Sequence, residues 1–149
     1  MIRHVTDLAV HETLGIRLAA PTEAHILELA ESKLVLNHLE TVHAGVQFIL
    51  AEACSGEFLL QQFSARSEVF AVLRTSTVKF HKAARGPLRA SAELVDATNE
   101  AVMRELESRQ RAFVTISVRL KARDGSATMS GSYRWFLQTA GHARTLQLG

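Results

Sequence analysis

Several residue types that indicate particular functions are scarce in this chain of 149 residues. A single cysteine, Cys54, excludes a disulfide within the chain and fits a reducing compartment, so we expect a cytoplasmic protein. One Trp, one Tyr and scattered basic residues give no indication of nucleic-acid binding. No apolar run reaches the length of a membrane span, and the N-terminus lacks the apolar segment of a signal peptide. We therefore expect neither nucleic acid nor a membrane as a partner.

The net charge of the chain is small and positive. The formal net charge is +2 and the isoelectric point is near 9.0, which suits an anionic small ligand. The seven histidines show no metal-ligand spacing, and one cysteine does not make a structural zinc site. We expect no metal and no bound cofactor.

The length predicts one domain over residues 1–149, with a loose tail from about residue 139. Hydrophobic periodicity predicts a short helix or turn leading to a strand at residues 15–20, a helix within 21–32, a short strand at 33–37 and a long helix over 43–63. Four strands follow, with turns at RGP and RDGS. Residues 96–110 form either a short helix or a continued hairpin. This order predicts an α+β fold in which an antiparallel sheet curls around one long helix.

Two strands show their faces by alternation. In the first, Val72, Val78 and Phe80 share one predicted face, and Thr75, Thr77 and Lys79 the other. In the third, four apolar residues alternate with four residues of the opposite face: Val114, Ile116, Val118 and Leu120 against Phe113, Thr115, Ser117 and Arg119.

A carboxylate, Glu52, lies in the middle of the most apolar segment of the chain. Helical spacing places Gly45, Glu52 and Gly56 near one face of the helix. Because the two glycines have no side chain, this face would leave room for a ligand or another backbone to approach. Burial there would raise the pKa of Glu52 and make it a base or nucleophile near neutral pH. Alternatively, Glu52 is exposed or paired with an arginine such as Arg74.

The start of the long helix is a second candidate feature. Thr41 is a predicted N-cap, and His43, Ala44 and Gly45 form the first turn. The free N–H groups of such a turn point outward and carry partial positive charge, as an oxyanion hole requires. An ordinary capped helix start explains the same residues.

Asn37, His43, Ala44, Gly45 and Glu52 match the pattern N-x5-H-[AG]-G with an acid nine residues after the histidine. This pattern resembles the hotdog-fold acyl-CoA thioesterases, in particular the phenylacetate-pathway type and its uncharacterised relatives with HAG…LAE. The segment VKFHKAARGPLRASAELV resembles the next two strands of that family. The resemblance covers about residues 14–138 and implies a hotdog fold.

The resemblance implies a homodimer, which in this family often pairs into a homotetramer, with each site at the dimer interface. It implies that the Ala44 N–H polarises the thioester carbonyl of an acyl-CoA and that Asn37 places the water or the thioester. Glu52 of the other subunit would be the general base or nucleophile, while His43 would shape the loop and Gly45 would lie against the substrate. Coenzyme A would enter only as part of the substrate.

Further residues are candidates for substrate binding. A helping hydroxyl on the first long strand would come from Thr75, Ser76 or Thr77. Basic residues around the next turn would bind the phosphates of coenzyme A, or would simply be solvated: Lys79, His81, Lys82, Arg85 and Arg89.

Two other functions fit parts of the pattern. A protein that binds an acyl group or acyl-CoA without catalysis would use the same fold. A hotdog dehydratase or hydratase also uses a histidine and a helix acid, but the HFPG…PGV pattern of those enzymes is absent.

Overall fold

The computed structural model describes residues 2–63 and 69–140. It contains three α-helices, α1 (Ala9–Leu14), α2 (Ala44–Phe63) and α3 (Asn99–Arg109). Its six strands are β1 (Ile16–Leu18), β2 (Leu27–Leu29), β3 (Val69–Phe80), β4 (Leu88–Leu94), β5 (Arg111–Lys121) and β6 (Ala127–Thr139). The predicted loose tail falls mostly on residues 141–149, which lie outside the described residues.

All six strands join in one antiparallel sheet with the order β1-β2-β4-β5-β6-β3. The central helix α2 contacts five strands that are neighbours in the sheet: β2, β4, β5, β6 and β3. Five strands span about 19 Å, whereas a helix with its side chains is about 10 Å wide, so the sheet must curve around α2. The α+β fold and the sheet around one long helix are confirmed.

The helix α2 forms because its 20 residues contain no proline and its apolar residues surround most of the axis. Its buried side chains pack against the sheet and include Leu50, Ala51, Cys54, Leu59 and Phe63. The predicted span of 43–63 differs from the observed helix by one residue.

Within residues 96–110 the chain forms the helix α3 (Asn99–Arg109), so the alternative of a continued hairpin is wrong. The Thr98 side chain accepts a hydrogen bond of 3.1 Å from the Ala101 N–H and caps α3. The helix ends at Gln110, whose φ of 59° lies in the left-handed region.

The helix predicted within residues 21–32 does not form. Leu27 and Leu29 instead lie in the short strand β2, paired with both β1 and β4. Their apolar spacing fits a helix or a strand equally over so few residues, and pairing with two neighbours decides for the strand. Residues 33–37 also differ from the prediction, since Lys33–Val35 is a 3-10 helix followed by an isolated bridge between Leu36 and Val42.

A bulge in β3 changes the predicted faces of that strand. The register against β6 shifts between Leu73 and Thr75, so Val72 pairs with Phe136 and Val78 pairs with Gly131. Paired residues project to the same side of a sheet, and odd-numbered residues of β6 face α2. Val72 therefore lies on the outer face with Thr75, Thr77 and Lys79, and the prediction that it shares a face with Val78 is wrong. The alternation predicted for β5 is confirmed, because its four even-numbered apolar residues from Val114 to Leu120 are all buried.

Candidate functional site

Glu52 lies in the middle of α2 and is half-buried. Its carboxylate takes part in no ion pair or hydrogen bond within residues 2–63 and 69–140, so the alternative of pairing with Arg74 is not observed. Burial raises the pKa of Glu52, and the charge of the nearby His11 on α1 partly offsets this rise. The site thus contains a carboxylate that remains available as a base.

A second carboxylate on α2, Glu57, is fully buried. It accepts hydrogen bonds from the Val5 N–H (2.9 Å) and the Gln61 side chain (3.3 Å), and His4 Nδ1 lies 2.8 Å away. Our sequence reasoning missed it. The signal was available, because Glu57 follows Leu50 by seven residues and Cys54 by three, which places all of them on one buried stripe.

The start of α2 differs from the prediction in its cap. The helix begins at Ala44, so Thr41 is too far from it to be the N-cap. The His43 carbonyl accepts from the Val46 and Gln47 N–H groups, and His43 Nδ1 accepts from the Gly45 N–H at 2.9 Å. His43 is therefore the N-cap.

This cap explains two neighbouring residues. A Cβ added to Gly45 would lie 3.1 Å from His43 Nδ1, so glycine leaves room for the imidazole. Because the Gly45 N–H can only donate, His43 Nδ1 must accept, and the neutral His43 ring carries its proton on Nε2. The Ala44 N–H is exposed and makes no hydrogen bond to any described residue.

Asn37 organises the loop before the helix. Its Oδ1 accepts from the N–H groups of Leu39 (2.9 Å) and Thr41 (3.1 Å), and its Nδ2 donates to Thr41 Oγ1 at 3.0 Å. One N–H of the Asn37 amide remains for another partner. The role of Asn37 toward water or a thioester stays a prediction.

The same loop is joined to the basic turn between β3 and β4. The Val42 N–H donates to the Ala84 carbonyl at 2.9 Å, and both residues are buried. Lys82 and Arg85, which flank Ala84, are exposed. The structure therefore brings the basic turn beside the helix start, although the two are about 40 residues apart in the chain.

Not all the basic residues of this turn are equally free. His81 Nε2 lies 2.7 Å from Ser130 Oγ, and Lys82 Nζ lies 4.0 Å from an Asp124 carboxylate oxygen. Lys79 and Arg85 form no ion pair with a described residue. Arg89 lies on β4 opposite Lys121 and Glu28.

The three candidate hydroxyls on β3 lie on two different faces of the sheet. Ser76 pairs with Tyr133, which is buried against α2, so Ser76 projects to the helix side. Thr75 and Thr77 pair with Arg134 and Ser132 and project to the outer face.

Two other residues near Glu52 bear on the prediction. Cys54 is fully buried and burial raises the pKa of its thiol, so it packs as a small apolar residue. The predicted small-residue face is already covered at Gly56, where an added Cβ would lie 3.4 Å from Val5 and 3.8 Å from Trp135. A ligand does not approach the backbone there.

The part of the chain that the structure describes has neither a metal-binding cluster nor a helix that could cross a membrane. Within residues 2–63 and 69–140, no group of three or more His, Cys, Asp or Glu side chains is arranged to hold a metal ion. Over the same residues, no helix combines the length and hydropathy that crossing a membrane requires.

Solved structures with the same fold support the architecture. A Pseudomonas aeruginosa protein of unknown function described as a probable thioesterase aligns with a TM-score of 0.78 and 24% identity, over 92% of this chain and 93% of that one. A thioesterase from Haemophilus influenzae aligns with a TM-score of 0.71 and 13% identity, over 91% and 86%. A Bacillus halodurans protein solved with CoA aligns with a TM-score of 0.67 and 19% identity, over 86% and 74%.

These alignments confirm the hotdog fold that the resemblance implies, the fold of the thioesterase superfamily. In a comparison with curated proteins, no sequence matches. Residues 14–137 match the model of one protein family, and the chain therefore belongs to DUF4442, a domain of unknown function.

Proposed function

We propose that this protein hydrolyses an acyl-CoA thioester, with Glu52 as general base or nucleophile. The observation that carries the proposal is the half-buried carboxylate in the middle of α2, which has no partner among the described side chains and a raised pKa. A carboxylate with a raised pKa is a stronger base near neutral pH than an exposed one.

We assign the Ala44 N–H the role of the oxyanion donor in this reaction. It lies in the first turn of a 20-residue helix, where partial positive charge accumulates, and it is exposed and unbonded within the described chain. In the proposed reaction it binds the thioester oxygen as negative charge develops there. Glu52 removes a proton from water, the new C–O bond forms, the C–S bond breaks, and the thiol leaves with a proton.

The spacing of these two groups favours a site made by two subunits. Eight residues of helix place Ala44 and Glu52 about 12 Å apart along the axis. An oxyanion donor and a base acting on one carbonyl each lie about 3 Å from the reacting atoms. We therefore propose that Ala44 of one subunit acts with Glu52 of its partner in a homodimer.

The edge strand β3 supports this dimer. It is 12 residues long and ends the sheet, so its outward N–H and C=O groups have no neighbouring strand among the described residues. Phe70 and Val72 on this strand are half exposed. Long exposed edges tend to pair with another chain, and we propose that two β3 strands meet. The homotetramer is a further pairing of such dimers.

The basic turn beside the helix start would bind the coenzyme A phosphates. Lys79, His81, Lys82 and Arg85 are exposed there, and the Val42–Ala84 hydrogen bond holds the turn next to the proposed oxyanion donor. Coenzyme A enters as part of the substrate, and no other cofactor is proposed. A cytoplasmic location, which the single cysteine fits, belongs to the same proposal.

The test is thiol release from short, medium and aromatic acyl-CoAs by the wild-type protein, Glu52→Gln and Glu52→Ala. We expect both variants to fold and to lose about 10²-fold or more in kcat. Glu107→Gln, an exposed glutamate on α3, is the matched control and should retain full activity.

Activity that survives in Glu52→Gln would refute the role of Glu52. A wild-type protein that binds acyl-CoA by calorimetry but releases no thiol would be a non-catalytic acyl-CoA binding protein instead.

A further inference from the structure

Tyr133 on β6 is among the largest fully buried side chains of the protein. Its hydroxyl has no hydrogen-bond partner among the described residues. An unpaired buried hydroxyl destabilises the fold relative to one that is hydrogen-bonded. Phenylalanine would fill the same space without this cost, so the hydroxyl calls for an explanation beyond packing.

The position of Tyr133 relates it to Glu52. The Tyr133 ring packs against Phe48 on α2, with ring centroids 5.6 Å apart and planes tilted by 55°. Phe48 precedes Glu52 by four residues, so the two project from the same face of the helix. Tyr133 therefore packs against the strip of α2 that carries the proposed catalytic carboxylate.

A glycine makes room for this ring. Gly131 precedes Tyr133 by two residues on the same face of β6, and a Cβ added there would lie 2.8 Å from Tyr133 Cε2 and 3.0 Å from Val78. No side chain larger than glycine fits without moving the ring. The backbone of β6 thus accommodates one particular placement of Tyr133.

The charges around Glu52 come from two elements. His11 on α1 and Tyr133 on β6 are the titratable groups that interact with it across packed elements. Burial, and then the electrostatic interactions with Glu52 and Cys54, raise the pKa of Tyr133 well above its ordinary value. The Tyr133 hydroxyl consequently keeps its proton at neutral pH and can donate a hydrogen bond. His11 Nδ1 is already bound to the Val5 carbonyl at 2.7 Å.

We propose that Tyr133 is a positioning residue, whose hydroxyl donates a hydrogen bond to a water molecule that in turn binds the Glu52 carboxylate. This bridge orients the carboxylate and favours its ionised form, which is the form that accepts a proton. The inference rests on the proposed function for its catalytic meaning, but the interaction itself can be tested without any activity.

Tyr133 is the single tyrosine of the chain, so ¹³Cζ-labelled tyrosine gives one NMR signal that needs no assignment. In the wild-type protein, we expect this signal to shift with pH as the Glu52 carboxylate takes up its proton. In Glu52→Gln the shift should vanish. A His11→Gln variant removes the other ionisable side chain that interacts with Glu52 from a packed element, and the shift should persist there. A signal that does not move, or that moves equally in Glu52→Gln, would overturn the proposal.

The second arm is the Tyr133→Phe variant, which removes only the hydroxyl. We expect the acid limb of its kcat/KM profile to move up by about one pH unit, because the ionised carboxylate loses a donor. We expect kcat to fall about tenfold, with little change in KM. Trp135→Phe is the matched control, since it removes a buried donor to Ser55 from the same face of β6, and Ser55 in turn donates to the backbone carbonyl of Glu52 rather than to its carboxylate. Its acid limb should not move.

The two proposals fail in different ways. If the wild-type protein hydrolyses no thioester, the proposed function fails, and the tyrosine signal still decides whether Tyr133 interacts with Glu52. If hydrolysis requires Glu52 but Tyr133→Phe behaves like Trp135→Phe, Tyr133 is structural and the inference is wrong.

Discussion

Glu52 and Glu57 lie five residues apart on α2, and their carboxylates have opposite surroundings. The Glu57 carboxylate is fully buried among His4, Val5 and Gln61, all within hydrogen-bond distance. Glu52 is half-buried and interacts with no described side chain through a hydrogen bond or ion pair. One carboxylate therefore holds the N-terminal segment on the helix, while the other has no hydrogen-bond or ion-pair partner among the described residues.

Removing the Glu57 carboxylate should destabilise the fold. We expect Glu57→Ala to lower the free energy of unfolding by about 3 kcal/mol, because the buried Val5 N–H loses its acceptor and the exposed His4 and Gln61 side chains lose their contact with the helix. Urea unfolding at one fixed protein concentration measures this loss. Glu107→Ala on the exposed side of α3 should stay within about 0.5 kcal/mol of wild type. A loss below about 1 kcal/mol for Glu57→Ala would mean that the N-terminal segment is held by other contacts.

Glu52 should make stability depend on pH in the opposite way to a salt-bridged glutamate. Its pKa is raised in the folded state, so between the ordinary value and the raised value the folded protein holds more protons than the unfolded chain. Stability should therefore fall as the pH rises through this window.

The Glu52→Gln variant tests this sign. At pH 7 we expect it to be more stable than wild type, by less than about 1 kcal/mol since the carboxyl is only half-buried. Below the ordinary pKa of glutamate the difference should disappear. Thermal unfolding of both proteins from about pH 3.5, below the ordinary pKa of glutamate, to about pH 8 measures this difference in stability. A variant that is less stable than wild type at pH 7 contradicts the raised pKa.

The β3 edge should control self-association. Val72 is half exposed on this strand, and a lysine on an edge strand opposes pairing with another chain. We expect Val72→Lys to shift the protein from dimer to monomer in sedimentation velocity. Val10→Lys on α1, which packs against β1 at the opposite edge of the sheet, replaces an equally exposed valine and should leave the dimer intact. If both variants stay dimeric, the subunits meet at another surface.

Arg85 should recognise the phosphates of coenzyme A rather than the acyl group. For Arg85→Ala we expect KM to rise about tenfold with acyl-CoA, which corresponds to ~1.4 kcal/mol. With an acyl-pantetheine substrate that lacks the nucleotide phosphates, KM should not change. Steady-state kinetics with both substrates makes the comparison. An equal rise with both substrates would show that Arg85 acts on the fold of the turn instead.

Most of the regular structure could be predicted because its signals are local. The apolar residues of α2 and the alternation in β5 each repeat over ten residues or more, which is enough to separate a helix from a strand. Residues 21–32 were predicted wrongly because their apolar stretch is short. Leu27 and Leu29 form a strand only because β1 and β4 lie on either side of it.

Errors of a second kind arose where one residue changes the geometry of its neighbours. The bulge in β3 moves Val72 to the outer face, and nothing in the alternation of residues before it marks the position. Likewise, Thr41 has the chemistry of an N-cap, but its hydrogen bonds go to Asn37 and His43 caps the helix instead.

The sequence by itself determined that a carboxylate would lie within a long apolar helix, since spacing along a helix is a local property. Which carboxylate is free was decided by the tertiary structure. His4 and Val5 reach Glu57 from more than 50 residues away, while Tyr133 comes to the Glu52 face from another strand. Such contacts depend on how the chain closes upon itself, and no local pattern of residues encodes them.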